Sequence, residues 1–243
     1  MTSAPILTSR VLASQVLGAA GSTSSRPARR SRSTYALGNP GRPAEDPTLL
    51  IAVFDNSGSV VSPGGTDPRS NRYAEVDRAF SIVARKGAEH ELGAVLHFDT
   101  PTSSDVDPTP ITKQGLARLR AGLRIPPDGA GSSRLAPSLR RAVKLAQAHP
   151  AHLCTLVVLS DFQLLDPDAG AVLADLNSYP GQVHAVVLGG QPGKGAVYPR
   201  IAATYIGRDD PPGAVARALF TSLTTHRPGS RAYEAAYPDH RSP

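Results

Sequence analysis

Leu49-Leu50-Ile51-Ala52-Val53-Phe54-Asp55-Asn56-Ser57-Gly58-Ser59 is the stretch on which the reading of this chain turns. An unbroken apolar run stops at an aspartate. It is far shorter than the roughly 20 residues a membrane-crossing helix needs, and it lacks the polar alternation of a strand with one wet face. It therefore reads as a strand buried on both sides, as in parallel sheets. Asn56 to Asn71 is polar and rich in Gly and Pro, so it forms a loop beyond the strand's carboxyl end.

Working outward, Leu92–Phe98, Leu153–Leu159 and Val183–Leu188 repeat the apolar signature. Ile201–Ile206 supplies a final strand and Thr109–Ile111 a short edge strand. Between them apolar residues recur at helical spacing. The first set is Tyr73, Val76, Phe80, Ile82 and Val83, ending near Gly87. Leu116, Leu119 and Leu123 mark a helix that stops before Pro126, and Leu135, Leu139, Val143 and Leu145 mark one closed by His149-Pro150. Pro167–Leu176 and Val215–Leu223 complete the series. Apolar strands alternating with amphipathic helices predict an α/β fold over residues 48–225: a doubly wound, mostly parallel sheet with helices on both faces. Ligands of such sheets bind at the carboxyl ends of the strands, near a topological switch point.

The flanks read differently. Residues 1–47 carry Arg10, Arg26, Arg29, Arg30, Arg32 and Arg42, with no acid before Glu45. Gly21–Thr34 is almost wholly Ser, Pro and Arg, which cannot bury enough apolar area to fold. Residues 1–47 are expected to be a disordered leader, with Ile6, Leu7, Val11, Leu12, Val16 and Leu17 spaced for a short amphipathic helix. Residues 226–243 are expected to be a flexible tail. Much of the formal charge of +6 on the 243-residue chain belongs to the leader. The remaining charges nearly balance, which weakens the case for a nucleic-acid-binding fold. The single cysteine, Cys154, cannot form an intramolecular bridge, so burial as a small apolar residue and a reducing cytoplasmic setting are expected. No stretch of about 18 apolar residues occurs, so no membrane insertion is expected.

Three polar segments fall on one edge of the expected sheet: Asp55-Asn56-Ser57-Gly58-Ser59, Gly129-Ala130-Gly131-Ser132-Ser133 and Ser160-Asp161. Together they offer two carboxylates and at least three hydroxyls, all hard oxygen donors. That set suits Mg²⁺ or Mn²⁺, since Mg²⁺ takes about six oxygens and is held by one or two carboxylates plus waters. Without His or Cys in the cluster, zinc is disfavoured.

The first segment resembles the Asp-x-Ser-x-Ser motif of von Willebrand factor type A (vWA) domains, which opens their metal-ion-dependent adhesion site. The family's second element is a threonine in a Gly-Gly-Thr-x-Leu loop. Gly131-Ser132-Ser133-Arg134-Leu135 takes that place, with Ser133 for the threonine and Ser132 as the alternate register. The third element is an Asp after an apolar strand, commonly followed by Gly. Leu159-Ser160-Asp161 matches, with Phe162 where the Gly would be. The resemblance covers about residues 48–225. It implies that Ser57, Ser59 and Ser133 ligate a metal directly, and that Asp55 and Asp161 bind through water or hold the serines. One coordination position would stay open for a partner's Glu or Asp. The chain would then be a metal-dependent protein-interaction adaptor, not an enzyme, and intracellular members suggest an AAA+ ATPase as partner. Asp99 and Asp105, near the same sheet edge, read most simply as solvated loop acids, with support of the metal ligands or contact with a partner as the alternatives.

Other classes fit less well. A phosphatase of the haloacid dehalogenase type needs a second Asp where Ser57 stands, and no Gly-x-Ser-x-Gly elbow occurs at a strand end. His97 reads as a buried or rim histidine, and His149 with His152 lacks a third ligand. Gly189–Gly195 is one residue short of a phosphate loop and lacks its Ser or Thr. The remaining alternative is nucleic-acid association through the Arg-rich leader, with the folded domain as scaffold. No aromatic platform accompanies that leader.

Overall fold

The computed structural model describes residues 35–67, 71–129, 131–189 and 200–233. The expected leader helix, the Ser/Pro/Arg run, most of the Gly189–Gly195 loop and the end of the tail lie outside the described residues. In chain order the elements are β1 (Gly38–Asn39), β2 (Thr48–Phe54), α1 (Gly58–Val61), α2 (Arg72–Ala84), β3 (Glu91–His97), β4 (Val106–Pro110) and α3 (Leu116–Gly122). They continue with α4 (Ala136–Ala148), β5 (Leu153–Ser160), α5 (Ala169–Asn177), β6 (Gln182–Leu188), β7 (Ile201–Ile206), α6 (Ala214–Thr224) and β8 (Arg231–Ala232).

Six of the strands form one sheet in the order β4-β3-β2-β5-β6-β7, parallel throughout except for β4. The chain first builds outward from β2 to β3 and β4, then returns through α4 to lay β5 on the other side of β2. The switch point therefore lies between β2 and β5, where their carboxyl ends leave the sheet. Leu50, Ala52 and Phe54 of β2 pack in one layer with Val76, Phe80, Val83, Leu219 and Phe220 of α2 and α6. Leu49, Ile51 and Val53 pack on the other face with Leu139 and Ala142 of α4 and Val172 and Leu176 of α5. Two covered faces explain the unbroken apolar run, since every position must be apolar when neither face meets water. The doubly wound expectation holds.

The expected inner boundaries need correcting. Residues 35–47 and 226–233 belong to the fold. β1 pairs antiparallel with β8, and Leu37 and Ala44 are buried. Glu91 and Arg227 fasten this corner. Arg227 Nη1 donates to both carboxylate oxygens of Glu91 at 2.7 Å, its Nε to Pro40 O at 2.7 Å and its Nη2 to Lys86 O at 3.0 Å. Glu91 also accepts from Ala44 N–H and Ala88 N–H. Cys154 is buried, and burial pushes its thiol pKa up, as befits an unreactive packing residue. Among the described residues no helix is long and apolar enough to cross a membrane.

Candidate metal centre at the switch point

The site begins where β2 ends. Asp55 N–H donates to Leu159 O of β5 at 3.0 Å, so the two strand ends are tied together. The Asp55 side chain is fully buried. Its Oδ1 accepts from Ser57 N–H at 2.8 Å and its Oδ2 from the Ser160 hydroxyl at 2.6 Å. Ser57 is the N-cap of α1, yet its hydroxyl makes no capping bond, which is the usual use of a serine there. It lies instead 3.0 Å from the Ser59 hydroxyl.

The glycine loop comes alongside through a parallel bridge between Ser57 and Gly131. Gly131 has φ +106, a backbone that other residues rarely adopt. Ser133, two residues on, is buried, and its carbonyl accepts from Leu165 N–H at 3.0 Å. Ser132 Oγ instead accepts from Arg134 N–H within its own loop, so Ser133 is the better-placed candidate. The start of α4 is held by Asp166, whose carboxylate accepts from Leu135 N–H at 2.8 Å and Ala136 N–H at 3.1 Å. An acid at a helix N-terminus also meets the positive end of the helix dipole.

Asp161 completes the set. Its Oδ1 accepts from Gln163 N–H at 3.0 Å, while its Oδ2 is buried with no hydrogen-bond partner. Its charge acts on Asp55. Burial first, and Asp161 in addition, hold the Asp55 carboxyl above the usual range, against the lowering effect of its bonds from Ser160 and Ser57. Phe162 takes φ +57, the left-handed conformation in which glycine is at ease. The chain therefore keeps the backbone turn with a bulky residue, at a cost of about 1–2 kcal/mol. Asp99 follows the end of β3 with φ +61.

Behind the strand end lies a polar layer that local sequence patterns do not reveal. Arg72 is fully buried. It pairs with Asp67 and donates to Asp55 O and Asn56 Oδ1, each at 2.9 Å. Tyr73 OH also donates to Asn56 Oδ1, and Asn56 Nδ2 donates to His97 Nδ1 at 2.9 Å. His97 Nε2–H donates to Gly122 O at 3.0 Å. His97 is thus a buried, neutral imidazole, as expected, and burial lowers its pKa. His184 is half-buried, its nitrogens meet Ser222 Oγ and Thr204 Oγ1, and desolvation lowers its pKa as well. A histidine with a depressed folded-state pKa contributes fully above its unfolded value, near 6.5, and loses that contribution as pH falls toward the folded value. Thermal melts from pH 7.5 to pH 5 should show falling stability, with a smaller fall in His184→Gln. An equal fall in both proteins would assign the acid sensitivity elsewhere.

Asp105 is engaged within the chain. Its carboxylate is turned onto its own loop, accepting from His97 N–H, Thr102 N–H and the hydroxyls of Thr100 and Thr102. Four donors on one carboxylate make it the organiser of the β3–β4 connection. Asp99 is half-buried on the same loop.

The structure thus brings Asp55, Ser57 and Ser59 together, sets Asp161 within electrostatic reach of Asp55, and joins the Ser133 loop to Ser57 and to the Leu165–Asp166 segment. Among the described residues no group of three or more His, Cys, Asp or Glu converges. The donors are two carboxylates and hydroxyls, a set that fits Mg²⁺ or Mn²⁺. The orphaned, buried Asp161 oxygen fits the same group.

No protein-family model matches the sequence, and no curated protein matches it by sequence. Solved structures match through their fold. A von Willebrand factor type A protein from Catenulispora acidiphila superposes with a TM-score of 0.50 at 14% identity, over 77% of this chain and 48% of that one. The open conformation of the pilus adhesin SpaC from Lactobacillus rhamnosus GG gives a TM-score of 0.54 at 13% identity, over 76% of this chain and 30% of that one. The present chain spans less than half the length of either. With the sheet order, the switch point and these likenesses in agreement, the chain has the von Willebrand factor type A fold.

Proposed function

We propose that this chain is a metal-ion-dependent protein-interaction module. Asp55, Ser57, Ser59, Ser133 and Asp161 would hold Mg²⁺ or Mn²⁺, and the ion would supply a charge bridge to a Glu or Asp of a protein partner. The observation that carries the reading is the pair Asp55 and Asp161. Two nearby carboxylates, one fully buried and the other with a buried oxygen lacking any donor, form a costly arrangement for a bare protein. A dication offsets that cost and leaves an electropositive opening. Binding is favoured over catalysis because His97 has both ring nitrogens committed and is buried, so it offers no accessible base. One structure of the same fold is described as a pilus adhesin, which agrees with attachment as the task of such a site.

Thermal melts in EDTA, then in Mg²⁺ and Mn²⁺, test this reading. An ion bound only by the native state stabilises it by about 2.7 kcal/mol at a hundredfold excess over Kd, or roughly 5–10 °C in Tm. Ser133→Ala should lose most of that rise and melt as the parent does in EDTA. A parent chain whose Tm is unmoved by millimolar Mn²⁺ would count against the proposal.

A further inference from the structure

Scattered exposed leucines are ordinary on a protein surface, but the position of Leu165 is not. Of the large apolar side chains exposed among the described residues, Leu165 is the most open at 68%. It is also bonded into the candidate metal centre, its N–H donating to Ser133 O at 3.0 Å. The next residue, Asp166, clamps the first turn of α4. Phe162 and Leu164 of the same loop pack against the core. The loop backbone is therefore fixed by its neighbours, while the Leu165 side chain is presented to solvent beside the residue expected to ligate the ion. Arg134, adjacent to Ser133, is exposed as well. The rim thus offers a positive charge and an aliphatic contact next to a site that would itself carry a dication.

We propose that the partner presents an acidic residue with a bulky aliphatic or aromatic residue within one or two positions of it, and that the apolar side chain packs on Leu165 while the carboxylate meets the metal. This rests on the metal-dependent reading above. Charge complementarity with Arg134 and the ion selects an acidic segment. The aliphatic contact selects a protein segment over a nucleic acid, which would call for a stacking ring.

The test selects a displayed library of random heptapeptides on the immobilised full chain in Mn²⁺, with elution by EDTA. Parent, Leu165→Ser and Asp55→Ala chains are run side by side, and Mn²⁺ affinity is measured in parallel by electron paramagnetic resonance. The parent should enrich peptides pairing Asp or Glu with Leu, Ile, Phe or Met. Leu165→Ser should bind Mn²⁺ like the parent, keep the preference for acid and lose that for the apolar neighbour. Its affinity for a selected peptide should fall about tenfold, the value of one buried apolar side chain. Enrichment of acid alone on the parent, or an unchanged apolar preference on Leu165→Ser, overturns the proposal and leaves the metal reading standing. Absence of Mn²⁺ binding by the parent overturns both.

Discussion

Arg227→Met is expected to destabilise the chain by about 3–5 kcal/mol, the usual cost of removing one partner from a buried ion pair. The side chains of Arg227 and Glu91 are 1% and 3% exposed, so solvent cannot take over when either is lost. Glu91 would keep its bonds from Ala44 N–H and Ala88 N–H but would be a buried charge without a countercharge. Pro40 O and Lys86 O would lose a donor as well. The double variant Arg227→Met/Glu91→Leu should recover a large part of the loss, because replacing both charges removes the desolvation cost along with the attraction. Urea unfolding of the parent, both single variants and the double variant gives the coupling directly. A single-variant loss below about 1 kcal/mol, the range of exposed pairs, would show that this corner is open to water and that residues 35–47 and 226–233 are only loosely attached.

Arg72→Met should cost about 2–4 kcal/mol, chiefly because the buried Asp55 O and Asn56 Oδ1 lose a charged donor, since the Asp67 side chain is 25% exposed and water can take over part of its pairing. Its consequence is different, because Arg72 supports the back of the candidate metal centre. It donates to Asp55 O and Asn56 Oδ1, and Asn56 in turn donates to His97. Removing the guanidinium leaves the Asp55 carbonyl without that donor and Asp67 without its ion-pair partner. The strand end that aims Ser57 and Ser59 would lose part of its frame. Mn²⁺ affinity should weaken along with stability, although Arg72 is no ligand. If Arg72→Met unfolds at the parent's urea midpoint, the polar layer behind Asp55 contributes little. If it loses stability and keeps full Mn²⁺ affinity, the layer supports the fold and not the site.

The fold was legible where its cause is local. Leu49–Phe54 is apolar throughout because both faces of β2 are covered. The spacing of Leu135 and Leu139 shows which face of α4 is buried. The flanks were not legible, because their anchoring comes from distant residues. Glu91 and Arg227 stand 136 positions apart, and β1 and β8 are short strands whose partner lies at the other end of the chain. Pro-, Gly- and Arg-rich composition there reads as solvated chain, and only the tertiary pairing contradicts it. The same division runs through the site. Asp55, Ser57 and Ser59 form a local pattern at a strand end. Ser160 holds Asp55 across 105 positions and Asp166 holds α4 across 31, and no local pattern announces either. An acid in a Pro-rich loop such as Asp105 reads as solvated, and no local pattern shows that its carboxylate gathers the donors of its own turn and of the end of β3. At Phe162 the departure from glycine was visible in the sequence, but its left-handed backbone was not.

The central claim is that the strand-end oxygens hold a divalent cation, and an electron paramagnetic resonance titration of Mn²⁺ into the metal-free full chain tests it most directly. The account predicts that the free-ion signal is suppressed up to about one equivalent per chain, that Mg²⁺ competes, and that Asp55→Ala and Asp161→Ala, each shown to be folded, leave the signal near that of buffer. A parent chain that leaves the free-ion signal unchanged up to millimolar concentration, or an Asp161→Ala variant that binds as tightly as the parent, would contradict it.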